Sequence, residues 1–186
     1  MAKTLISYFL ACFLFLNSTD CISQVYSPCR AAVIENYKSQ IGVREKTGKN
    51  DGEDIEKYLK TVGLGKGYAW CAAFVKWALT DGIINSDAAK LINGMALSLH
   101  KAEKVIYFKG TYKMELLPAD VFTLWYKNLG RIGHTGFFNG WANKAAGTYY
   151  TVEGNTSTGG SREGDGVYLR IRDIKSTYSI TKWIGD

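Results

Sequence analysis

Three positions carry side chains suited to nucleophilic chemistry. Cys71 lies in Gly67-Tyr68-Ala69-Trp70-Cys71-Ala72-Ala73-Phe74, where a glycine-rich loop delivers it to the start of an apolar helix. A thiol at a helix N-terminus meets the positive end of the helix dipole, which favours the thiolate. The same helix end offers free backbone N–H groups, so the N–H of Cys71 could hold an oxyanion. His134, in Arg131-Ile132-Gly133-His134-Thr135-Gly136-Phe137, could supply the base that a cysteine nucleophile needs. Glu153-Gly154-Asn155 offers a carboxylate and an amide, either of which could hold the far ring nitrogen of that histidine. Each residue also has a plain alternative: a core cysteine, a hydrogen-bonded structural histidine, an asparagine in a turn beside a solvated glutamate. The second histidine, His100, sits in a lysine-rich stretch and is the weaker candidate for the base.

These groups need elements to position them. Ser27-Pro28 reads as an N-cap followed by proline at the first helical position. Val33, Ile34, Tyr37 and Ile41 then recur at helical spacing, to a stop at Gly42. Asn50 to Asp54 reads as the start of a second helix carrying Ile55, Tyr58, Leu59 and Val62. A third helix from Cys71 to Leu79 is apolar nearly all round, so it should be central and buried. Asp81-Gly82 stops it, and short helices are expected over 86–92 and 95–102. After Phe108 the pattern changes to β-branched and aromatic runs between Gly and Asn turns. Strands are expected over 105–108, 121–125, 135–139, 149–153, 166–172 and 179–183. Helices first and strands afterwards imply an α+β fold, with N-terminal helices packed on a C-terminal antiparallel sheet. A cysteine on a buried helix start, a histidine on one strand, then an acid and an amide on the next is the order of papain-like thiol hydrolases.

Composition narrows the classes. The chain has 186 residues, 46% of them hydrophobic and 13% aromatic, which suits one folded domain over 27–186 and excludes disorder as the main state. Four cysteines are too few for a disulfide scaffold, and two histidines argue against a histidine-built zinc site. Net charge is +6, which favours an anionic partner such as a wall polymer, nucleic acid or membrane surface. Lysines and arginines are scattered, and no nucleic-acid motif is present, so nucleic acid ranks last. Lys3 followed by the uncharged run Leu5 to Leu16 matches the apolar core of a secretory signal peptide over 1–23. That run is too short for stable membrane insertion, which needs about 20 residues. Cys21 and Ser23 then stand at −3 and −1 of a cut before Gln24, leaving Cys29 and Cys71 in a bacterial periplasmic or exterior protein.

Several strings resemble the CHAP amidase/peptidase domains, a branch of the NlpC/P60 papain-like group that cleaves peptidoglycan. They are Trp70-Cys71-Ala72-Ala73-Phe74-Val75, Gly133-His134-Thr135-Gly136-Phe137 and Glu153-Gly154-Asn155. Ile41-Gly42-Val43-Arg44-Glu45, Gly48-Lys49-Asn50-Asp51-Gly52 and Pro118-Ala119-Asp120-Val121-Phe122 support them, and the likeness covers about Ala31 to Ile174. The family usually has glycine where Ala119 stands. The resemblance implies Cys71 as nucleophile, His134 as base, Glu153 as orienting acid and Asn155 as a polar helper near the thiol or the imidazole. Some CHAP domains bind calcium through an acidic loop close before the cysteine. Here the segment from Gly63 to Trp70 has no acid, while Asn50, Asp51, Glu53 and Asp54 read as helix capping, so no cofactor is expected.

The resulting expectation is a secreted cysteine hydrolase acting on peptidoglycan. The bond is the N-acetylmuramoyl-L-alanine amide or one within the stem or cross-bridge peptide. Tyr68, Trp70, Trp125 and Trp141 could line a groove for sugar or peptide, with core packing the better reading for Trp125. A second reading from another class is a catalytically silent wall-binding module on the same fold. A protein inhibitor would leave no mark in the sequence.

Overall fold

The computed structural model describes residues 26–80, 86–158 and 164–185, so the expected signal peptide and the Asp81-Gly82 stop lie outside the described residues. Helix α1 spans Pro28–Ser39; the Ser27 hydroxyl accepts from the Arg30 N–H and Pro28 opens the helix, as the local sequence predicts. The helix ends at Ser39, two residues earlier than its spacing suggests. Helix α2 spans Glu53–Thr61 with three acids in its first turn. Its N-cap is Gly52, and Asp51 is not a cap: both its carboxylate oxygens turn back to the N–H and hydroxyl of Thr47.

Helix α3 spans Cys71–Thr80, and α4 spans Ser86–Lys90. The helix expected over 95–102 is instead a 3₁₀ turn at Ala96–Leu99, followed by another at Ala102–Lys104. The Ser98 hydroxyl bonds back to the carbonyls of Met95 and Asn93, and such local bonds compete with a regular α-helix.

The strands are β1 (Val105–Phe108), β2 (Thr111–Tyr112), β3 (Val121–Tyr126), β4 (Arg131–Asn143), β5 (Thr148–Thr156), β6 (Gly166–Asp173) and β7 (Thr177–Thr181). They form one antiparallel sheet in the order β2-β1-β7-β3-β4-β5-β6, so the molecule is α+β. The long β4–β5 hairpin extends several residues beyond the expected strands, because its outer residues keep pairing across bulges at the far end.

Alternation along the central strands divides the interior in two. Val121, Phe137 and Val152 face a core shared with Val33, Tyr37, Tyr58, Phe74 and Trp70 of the helical layer. Phe122, Phe138 and Tyr149 face a second core with Ile106, Leu116, Ile174 and Ile180. Helix α3 is buried along most of its length and contacts both β4 and β5. That contact brings its first residue to the middle of the sheet.

Pro118 and Ala119 form a tight turn into β3, closed by the Asp120 N–H on the Leu117 carbonyl at 3.0 Å. Ala119 takes φ 75°, the left-handed conformation that a type II turn requires at this position. Buried Arg30 reaches this turn from α1, donating to the Pro118 carbonyl at 2.6 Å and to Asp120 at 3.0 Å.

Candidate active site

Cys71 is the first residue of α3, since the Trp70 carbonyl already accepts from the Phe74 N–H at 2.9 Å. Its backbone N–H therefore belongs to the unpaired first turn of the helix. Only 7% of Cys71 is exposed, yet the residue borders a cavity of about 660 Å³ together with His134, Asn155 and Tyr68. The thiol is thus sheltered and still open to a ligand.

His134 lies on β4, and its ring Nε2 is 2.8 Å from Oε2 of Glu153 on β5. A carboxylate only accepts, so Nε2 holds its proton, which leaves Nδ1 for the hydrogen bond with Cys71. Burial works against charging this ring. The bonds to Cys71 and Glu153 and their negative charge outweigh it, raising the His134 pKa to about 9. The imidazole is therefore a cation beside the sulfur at neutral pH. Glu153 is fully buried, which disfavours its charge, but hydrogen bonds from Arg172 and His134 hold its carboxyl well below the usual range.

Glycines permit these approaches. Phe137 pairs with Val152, so Gly136 lies beside Glu153; a Cβ there would meet Glu153 Cγ at 3.0 Å and the Val152 carbonyl at 2.9 Å. A Cβ at Gly154 would meet Trp70 at 2.6 Å and Phe74 at 2.8 Å. Helix α3 thus rests against bare backbone of β5.

Asn155 takes φ 54°, a left-handed conformation that asparagine tolerates better than most residues. Oriented to satisfy both neighbours, its amide oxygen accepts from the Trp70 N–H at 3.0 Å and its nitrogen donates to the Gly164 carbonyl at 3.3 Å. Glu153, not Asn155, is thus the partner of the imidazole. Asn155 holds the residue that precedes the sulfur.

Tyr68 is exposed at the cavity wall, as a ligand contact requires. Trp70 is not. Its indole is fully buried, stacks on Tyr58 and donates to Glu45 Oε1 at 2.8 Å. The expected substrate-binding role of Trp70 is corrected on that ground: the ring is a core anchor, and only its backbone touches the site. Trp125, expected in the core, is 43% exposed, and Trp141 packs on Phe138 and Tyr149. His100 has other partners, with Nδ1 at 2.8 Å from the Ser179 hydroxyl and its ring against Tyr178.

Sequence reasoning missed three contributors. Arg172 on β6 donates Nε to Glu153 Oε1 at 2.7 Å and Nη2 to Oε2 at 2.5 Å. The Thr151 hydroxyl adds a second donor to Oε1 at 2.6 Å. Glu45 holds both the Trp70 indole and the Asn50 N–H, each at 2.8 Å. Alternation along β5 sets Thr151 beside Glu153, so that signal was available; Arg172 required the β5–β6 register. Among the described residues, no group of three or more His, Cys, Asp or Glu side chains is placed to hold a metal.

Set against protein-family models, curated proteins and solved structures, the chain has no match in any of the three comparisons.

Proposed function

We propose that this chain is a cysteine hydrolase of papain-like type that cleaves amide bonds in peptidoglycan. The observation that carries the reading is the run of contacts from Cys71 through His134 to buried Glu153, with Cys71 and His134 bordering one open cavity. A thiolate beside an imidazolium whose far nitrogen is fixed by a buried carboxylate is the machinery of thiol acyl transfer.

In the proposed reaction the Cys71 sulfur attacks the amide carbonyl carbon. The oxyanion forms at the first turn of α3, within reach of the Cys71 N–H. His134 gives its Nδ1 proton to the leaving amine as the C–N bond breaks, and a thioester remains. The neutral imidazole then takes a proton from water, whose oxygen attacks the thioester and releases the acid. Glu153 stays ionised throughout and keeps the ring in register.

The choice of peptidoglycan is supported by the CHAP-like strings around Cys71, His134 and Glu153 and by a net charge of +6, which suits an anionic wall. Export through the segment 1–23 belongs to the same reading. Purified sacculi digested with wild type and with Cys71→Ala test it: soluble fragments are expected from wild type alone, and equal release by both would end the proposal. Mass spectrometry of the fragments names the bond. Iodoacetamide labelling in a Cys29→Ser background separates this reading from a silent binding module, because a nucleophilic Cys71 reacts fast below neutral pH and an inert one does not.

A further inference from the structure

A second cleft is larger than the one that holds Cys71. It measures about 880 Å³ and lies beside the β3–β4 turn, where Lys109, Tyr112, Trp125, Lys127, Lys175 and Tyr178 border it. Trp125 stacks on Tyr178 at 5.3 Å between ring centroids and 25° between planes. The tryptophan is 43% exposed, an unusual position for a ring of this size with no catalytic neighbour. Lys109 stands 5.1 Å from the Tyr178 ring, and Lys127 and Lys175 are both exposed at the border. Among the described residues no Asp or Glu lines the cleft, and Asp173 nearby is engaged by the Lys175 N–H at 2.8 Å.

We propose that this cleft binds an acidic saccharide segment of the polymer whose amide bonds the Cys71 site cuts, a proposal that rests on the reading given above. A flat aromatic platform takes the apolar face of a sugar ring, and the surrounding ammonium groups take its carboxylate or phosphate. The hydroxyls of Tyr112 and Ser176 supply neutral hydrogen bonds at the same border. One stacked pair, rather than a row of splayed rings, favours a sugar over a run of nucleobases. Position in the fold points the same way. Consecutive residues of β3 serve the two clefts, Trp125 this one and Tyr126 the Cys71 cavity, with Lys127 and Leu129 dividing the following turn likewise. Tyr178, the other ring of the stacked pair, packs against the cluster of Cys71, Ala96 and Ile132, so a polymer held on Trp125 lies close to the cavity that receives its peptide branch.

The test is calorimetric titration of the full chain carrying Cys71→Ala with peptide-free glycan strands, which bear a free lactyl carboxylate on every muramic sugar. Trp125→Ala is expected to weaken binding about tenfold, and Lys109→Glu with Lys175→Glu at least as much. Trp125→Phe keeps the platform and should retain most of the affinity. Added salt should weaken binding, because the lysines are exposed. Undiminished affinity in the Trp125→Ala and double lysine variants would overturn the proposal. So would equal affinity for a neutral N-acetylglucosamine oligomer, or tighter binding of oligothymidylate, which would make the surface a nucleic-acid site. The two readings fail separately. Glycan binding that depends on Trp125, in a protein that releases nothing from sacculi, supports the cleft and removes the hydrolase.

Discussion

Arg172 grips both oxygens of the Glu153 carboxylate, at 2.7 and 2.5 Å, and one of those oxygens is the one that holds His134. The carboxylate is completely buried, so without this fork its charge would be carried by the imidazole and one threonine. Arg172 is in this sense a positioning residue, three links from the sulfur.

Arg172→Ala should lower kcat by about a hundredfold, the scale of a small misplacement of a reacting group. Leaving a buried carboxylate half-partnered should also destabilise the fold by about 3 kcal/mol. Arg172→Lys should restore part of the stability and less of the rate, because an ammonium cannot grip both oxygens. Urea unfolding and amidase assays on the same preparations separate the two effects.

The raised pKa of His134 fixes the alkaline side of the rate profile. In the proposed reaction the imidazolium gives its proton to the amine; that proton is lost as pH rises through about 9, so kcat/KM should fall there. Glu153→Gln removes the negative partner and should move that limb to lower pH. Stability follows the same linkage. A folded pKa of about 9 against 6.5 unfolded adds stability that is complete below 6.5 and lost as pH rises through 9. The Glu153 contribution has the opposite sign, present above its ordinary value of 4.5 and lost as pH falls well below it. Thermal melts of wild type and His134→Gln across this range should converge only at the alkaline end.

Asn155 meets two demands, a left-handed backbone and an amide on the Trp70 N–H. Asn155→Gly keeps the first and loses the second, and should cost about 1 kcal/mol. Asn155→Ala loses both and should be worse by about another 1 kcal/mol. Both should slow Cys71 alkylation if the start of α3 drifts from His134. Unchanged melting temperature in the alanine variant would contradict the assignment.

Ala119 is strained where glycine would not be. Ala119→Gly should stabilise the protein by about 1 kcal/mol, since relief of the left-handed φ outweighs the added freedom of the unfolded chain. A fall in melting temperature would mean that packing of the buried methyl group is the larger effect.

Much of this arrangement is legible in the sequence. The Ser27-Pro28 start, the buried helix from Cys71 and six of the strands follow from caps, glycines and apolar periodicity, which are local signals. Cys71, His134 and Glu153 were readable because each stands at a marked local position. Register and burial were not readable locally. The Trp70 ring points into the core because its partner Glu45 lies in a distant loop, and Arg172 meets Glu153 only through pairing of β5 with β6. The turn at Ala96–Leu99 was lost to a serine hydroxyl whose bonds apolar spacing cannot register.

The tryptophan ahead of the sulfur is tethered twice, by its indole to Glu45 and by its N–H to Asn155, and neither tether is a near neighbour in the chain. The imidazole in turn is fixed by Glu153 of β5, and Glu153 by Arg172 of β6. Contacts so far apart in sequence are the costly ones to close, because long loops must be ordered to form them. A copy in which β5 and β6 have not paired therefore lacks both the carboxylate that fixes the imidazole and the arginine that fixes the carboxylate.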